Sequence, residues 1–170
     1  IVLMSFGIQG ERFVTSQGVI IFNSDAPFEL IQAKSQQLKG AIDSERGTFA
    51  FAVSVRSFQG FNSPLQREHF NENYLESDKY PKITFSGAID GDVDFEKDGT
   101  YQVKSKGVLN LHGVKTERVI SATLKVQNGA IFISSKFVVS LSDHNISVPK
   151  IVSGKTEEHT SELQSRGHLV

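Results

Sequence analysis

Two short stretches carry the residue types that metal binding or catalysis would need. In the first, Glu68, His69 and Glu72 lie close together, and on a helix His69 and Glu72, at i and i+3, would share a face. Carboxylates around an imidazole could hold a divalent cation. In the second, Asp143-His144 follows Ser140 and Ser142, the residue types of a hydrolytic triad. Both constellations fail on geometry. Adjacent residues of an extended segment point to opposite sides, so Asp143 cannot orient the His144 imidazole, and Glu and His neighbours on an exposed helix read as a solvated face. The chain has no G-x-S-x-G, no phosphate-cradling glycine loop, no C-x-x-C-H and no nucleotide fingerprint. The expectation is therefore no enzyme, no catalytic residue, no metal and no resident cofactor. Ser142–Asn145 reads as a tight polar loop that satisfies backbone groups.

What the chain holds in quantity is apolar. Thirteen Phe stand against no Trp, one Met and no Cys in 170 residues. Phe has no polar handle, so such a set lines a core or an apolar cavity. Without Cys there is neither a disulfide framework nor thiolate chemistry. Basic and acidic residues balance, 18 against 19, with no basic stripe to suit nucleic acid.

The elements that must position those rings follow from alternation. Arg12–Ser16 and Val19–Asn23 read as a first strand or strand pair with a bend at Gly18. Phe28–Leu38 fits neither strand nor helix period. Gln37–Asp43 and Gly47–Ser57 form a hairpin. Lys82–Ile89, Tyr101–Leu111, the segment around Ile120–Val126, and Ile131–Leu141 follow, with turns at Asp90-Gly91-Asp92, His112-Gly113 and Asn128-Gly129. Each strand has one apolar face, as in a sheet covered on one side. About seven such strands in one domain predict an all-β, antiparallel up-and-down barrel, with a sandwich as the alternative.

One helix interrupts this pattern. Ser63-Pro64-Leu65-Gln66 has the form of a capping box with Pro at the first helical position. The helix is expected near 63–77, with Phe70 and Tyr74 on one face and Leu65 near it. Arg67, Glu68, Asn71 and Glu72 would face water. Pro81 then returns the chain to extended conformation. Such an insertion would cover a barrel mouth. The expected bore-lining residues are Phe49, Phe51 and Val53, then Phe85, then Tyr101, Val103 and Leu109. Leu124, Ile133, Phe137 and Val139 complete the wall, with Phe70 and Tyr74 under the cover. The same residues would equally fill a solid core, and periodicity does not separate the two.

Both ends differ from the middle. Ile1–Ile8 is apolar and too short to cross a membrane; with Gln9-Gly10 it reads as the remnant of a signal peptide, residues 1–10. Glu157–Ser165 lacks either period and resembles a translated sequencing-library adapter, so 157–170 is expected to be a non-native tail and 11–156 the barrel domain.

His69–Gly87 (HFNENYLESDKYPKITFSG), Lys97–Val126 with its LHG turn, and Ser134–Pro149 (SSKFVVSLSDHNISVP) resemble, in order, three motifs of the YceI-like family. The resemblance covers about 11–152 and is most similar in wording to members from Bacteroidetes-type bacteria. It implies a lipocalin-like barrel of about eight strands, exported to the periplasm, and in some members a bound polyisoprenoid or other amphiphile. A last strand follows the SLSDHNI loop in that family; here the adapter-like tail takes its place, so the closing strand is expected to be missing. The expected function is a periplasmic carrier of an apolar-chain ligand: a polyisoprenoid, an isoprenoid quinone or a fatty-acid-like lipid. An envelope-stress or interaction protein with a packed, ligand-free barrel is the alternative, and a hydrolase stands behind both. Expected partners are an apolar lipid and no nucleic acid, with a homodimer left open.

Overall fold

The computed structural model describes residues 2–3, 12–26, 29–147 and 164–169, with side chains for all but 2–3, 25–26, 29 and 164–169. Most of the expected signal remnant, Pro27, the exit at Val148-Pro149, and 157–163 and Val170 of the tail lie outside the described residues. The strands are β1 (Val2–Leu3), β2 (Arg12–Ala26), β3 (Glu29–Asp43), β4 (Thr48–Ser54), β5 (Lys82–Asp90), β6 (Gly99–Leu111), β7 (Val114–Gln127), β8 (Ala130–Ser140) and β9 (Gln164–Leu169). The seven from β2 to β8 pair antiparallel in chain order, one continuous ladder that makes a barrel wall and excludes two facing sheets.

The strands alternate because their sequences do. On β4, β5, β6 and β8 the odd positions turn inward, and on β7 the even ones, giving Phe49, Phe85, Val103, Leu124 and Ile131 to the core. Phe28–Leu38 read as patternless because β2 and β3 slip register around Gly18, and the inward set on β3 changes from Ile31, Ala33 and Ser35 to Leu38 and Ile42. Two-residue turns with positive φ join β6 to β7 (His112 55°, Gly113 72°) and β7 to β8 (Asn128 49°, Gly129 72°), the geometry that matches strand twist. Between β5 and β6, Gly87 faces Gly107. A Cβ at Gly87 would lie 2.0 Å from the Lys106 carbonyl oxygen, and one at Gly107 would lie 2.3 Å from that of Ser86. The two strands lie there backbone against backbone, with no room for a side chain.

The closing strand, expected to be missing, is present as backbone. β9 pairs with β2 from Ile20↔Leu169 to Ser24↔Ser165 and with β8 from Ser135↔Leu169 to Ser140↔Gln164. β1 pairs with β8 further along, at Phe132 and Ile133. The missing side-chain period misled here, because the free N–H and C=O rows of a sheet edge bind any extended backbone without proline.

The insertion is shorter in α-helix than expected. α1 spans Pro64–Glu68, and His69–Tyr74 continues as a π-helical turn in which Leu75 N donates to Phe70 O at 3.0 Å. Ser63 Oγ caps Gln66 N (3.1 Å), but Gln66 Oε1 reaches back to Asn62 N (3.0 Å), one residue before the cap. The wider turn rotates the faces. Phe70 and Tyr74 are buried as expected, whereas Asn71 is buried rather than wet and Leu65 is 58% exposed rather than beside them.

Candidate functional site

At the barrel end covered by the insertion, the inward side chains leave a cavity of about 80 Å³. β2 contributes Ile20, Phe22 and Ser24, β3 Ile31, and β5 Ile83. β6 adds Leu109 and Leu111, and β8 adds Phe137 and Val139. The roof is Phe58, Phe70, Tyr74 and Leu75, and the loop after β8 supplies Leu141 and Ile146. Phe70 is the centre of that roof, its ring 5.0 Å from Phe61 and 5.7 Å from both Phe22 and Phe58. Among the described lining residues only Ser24 and Tyr74 carry a polar side-chain atom. A site so lined recognises apolar area, at roughly 25 cal/mol per Å², and has little with which to discriminate polar groups.

Of the residues expected from sequence, Phe70, Tyr74, Leu109, Phe137 and Val139 border the cavity. Phe49, Val53, Phe85, Val103 and Leu124 also face inward but pack into the core without reaching it. Phe51, Tyr101 and Ile133 pack half-buried against that core. The β2 and β3 contributions were missed because the Gly18 irregularity hides their period. Phe58 was missed because it lies past the end of β4, where a 3₁₀ turn (Val55–Ser57) carries the chain across the mouth.

Polar chemistry gathers beside the roof, not inside the cavity. Glu76, itself at φ 46°, places its carboxylate on His112 Nε2. His112 Nδ1 donates to the His144 carbonyl at 2.8 Å. Both ring nitrogens of His112 thus face oxygens. The Tyr80 ring stands edge-on to His112 at 4.7 Å and fills the space over Gly113, where a Cβ would be 2.4 Å from it. His144 is fully buried: its Nδ1 donates to the carbonyls of Leu111 (3.0 Å) and Val114 (3.2 Å), and Thr116 Oγ1 lies 3.4 Å from Nε2. The three segments quoted from the sequence meet in this clasp, which ties the insertion to the β6–β7 turn and to the loop after β8.

The clasp has the makings of a fastening rather than of a reaction centre. The His144 ring is held by two backbone carbonyls at Nδ1 and faces the Thr116 hydroxyl at Nε2, with neither Ser140 nor Ser142 on it; those two serines bond each other at 2.8 Å. His69 lies by Tyr74, ring centroids 6.3 Å apart. Among the described residues no three His, Cys, Asp or Glu come together to hold a metal ion.

The YceI-like domain family matches residues 14–163. In structure the chain is similar to a polyisoprenoid binding domain from Saccharophagus degradans implicated in plant cell wall breakdown, with a TM-score of 0.70 and 12% identity over 94% of this chain and 96% of that one. It is also similar to BcnA from Burkholderia cenocepacia, with a TM-score of 0.66 and 14% identity over 89% and 94% of the two chains. At such identities the likeness is one of fold. No curated protein matches the chain.

Proposed function

Because the chain belongs to the YceI-like family, we propose that it is a carrier that holds an amphiphile by its apolar chain inside the barrel: a polyisoprenoid, an isoprenoid quinone or a fatty-acid-like lipid. The observation that carries this reading is the apolar cavity under a roof of phenylalanines, closed by an inserted segment rather than by the barrel wall. The polyisoprenoid-binding description of the Saccharophagus degradans domain supports it. The cavity of about 80 Å³ is smaller than the roughly 150 Å³ apolar cavity that accepts a benzene molecule. On the carrier reading, loading displaces the roof. Catalysis has no place in the reading, and a periplasmic location belongs to it as a further proposal, which cell fractionation checks.

The small cavity also favours a second reading, a packed barrel whose role is interaction or envelope stress. One experiment separates them. Protein purified without detergent is extracted with organic solvent, the extract is read by mass spectrometry, and the stripped protein is offered a fluorescent isoprenoid probe. The carrier reading expects a stoichiometric lipid or saturable uptake. An empty extract with no uptake leaves the packed barrel.

A further inference from the structure

Resting on the carrier reading, we infer that Phe85, backed by Phe49 and Phe51, is the floor of the ligand cavity and sets the length of apolar chain that the barrel accepts. The cavity occupies only the end of the bore under the roof, at the level of Phe22, Ile31, Ile83, Leu111 and Val139. The next inward residue on β5 is Phe85, whose register partners are Phe51 on β4 and Leu109 on β6. Its ring lies 5.0 Å from that of Phe49, which lies 5.8 Å from Phe51. Leu109 borders the cavity, and none of the three phenylalanines does.

These rings spread inward over the wall because the neighbouring strands make room for them, β3 beside Phe51 and β6 beside Phe85. A Cβ on Gly40 would stand 2.5 Å from the Phe51 ring, and one on Gly107 would stand 3.1 Å from that of Phe85. The rings are seated on bare backbone, in strands laddered on both sides. Beyond them Ile42, Leu124, Val126 and Ile131 are fully buried and leave no continuation, and Phe13 stacks with Phe95 (5.9 Å) towards the far end. A chain that displaces the roof can fill the near half of the bore; any further carbons must fold back or stay outside.

The test is a series of prenyl alcohols of rising length (geraniol, farnesol, geranylgeraniol and solanesol) titrated against the delipidated protein. Each newly buried methylene tightens binding by about fourfold. Wild-type affinity is expected to rise along the series and then level off. Phe85→Ala is expected to move that break to a longer alcohol and to bind the first alcohol beyond it at least about tenfold tighter. Phe85→Leu, which keeps an apolar branch, covers a failure of the alanine variant to fold and should shift the break in the same direction. Leu109→Phe, filling the cavity above the floor, should shorten the preferred chain. If the wild type binds none of the alcohols, the carrier reading itself fails. If it binds them but the break stays in place in folded Phe85 and Leu109 variants, or no break exists, the floor is overturned and the carrier reading stands.

Discussion

His144 shows how a residue suited to chemistry is used for architecture. With no exposed surface, its ring replaces water for two carbonyls of the β6–β7 turn, Leu111 and Val114. Removing it leaves both oxygens short of a donor and opens a void, so His144→Ala should cost about 2–4 kcal/mol in urea unfolding, and His144→Gln, which retains an N–H donor, distinctly less. An unchanged denaturation midpoint in the alanine variant would deny the ring this role. At this scale the sequence was legible in direction but not in depth. Alternation told which way Phe49, Phe85 and Leu109 point; Asp143 and His144 do part, one exposed and one buried, but on a 3₁₀ turn (Ser142–His144) and not on the extended segment expected. Height along the bore is a matter of register between strands, which no local pattern carries. The turn at His69–Tyr74 was misjudged for the same kind of reason: the switch from a 3.6-residue to a wider turn, which buries Asn71, depends on packing against the barrel rather than on local propensity.

Among the elements, β4 to β8 were readable because each is flanked by turn residues and carries a clean period of two. β2 and β3 were not, since their slip at Gly18 makes one long hairpin resemble separate pieces. The β5–β6 ladder adds a charge pair at its lower end, Asp90 with Lys106 at 2.7 Å, both side chains about half exposed. The hydrogen bond from Lys106, with its charge, holds the Asp90 carboxyl below the ordinary carboxylate value. A value lowered by folding means that the pair stabilises at neutral pH and stops doing so as pH falls through the lowered value, below about 3.9. Asp90→Asn should therefore melt slightly below wild type at pH 7 and converge with it in acid. The effect is small because both partners are solvated. A gap that widens in acid would contradict the assignment.

For the molecule as a whole, the barrel was legible from seven one-sided strands, and its closure was not, because the segment at the seam has no period of its own. Deleting 157–170 takes away the backbone that pairs the upper parts of β2 and β8, and the shortened chain is expected to self-associate in light scattering at concentrations where the full chain stays monomeric. A shortened chain as monodisperse as the full one would show that β9 protects nothing. The facing glycines Gly87 and Gly107 then acquire a mechanical meaning. In strand order they lie across the barrel from the seam, with β2–β5 on one side of them and β6–β8 on the other. The wall is like a book: the crease between β5 and β6 is its spine and the β8–β9–β2 junction its fore-edge. A bore that must widen for a guest opens most cheaply at the fore-edge, where the pairing segment is short, and pivots on a spine that tolerates no side chain. Amide hydrogen exchange should accordingly be fastest along 20–24 and 135–140 and slowest beside the two glycines.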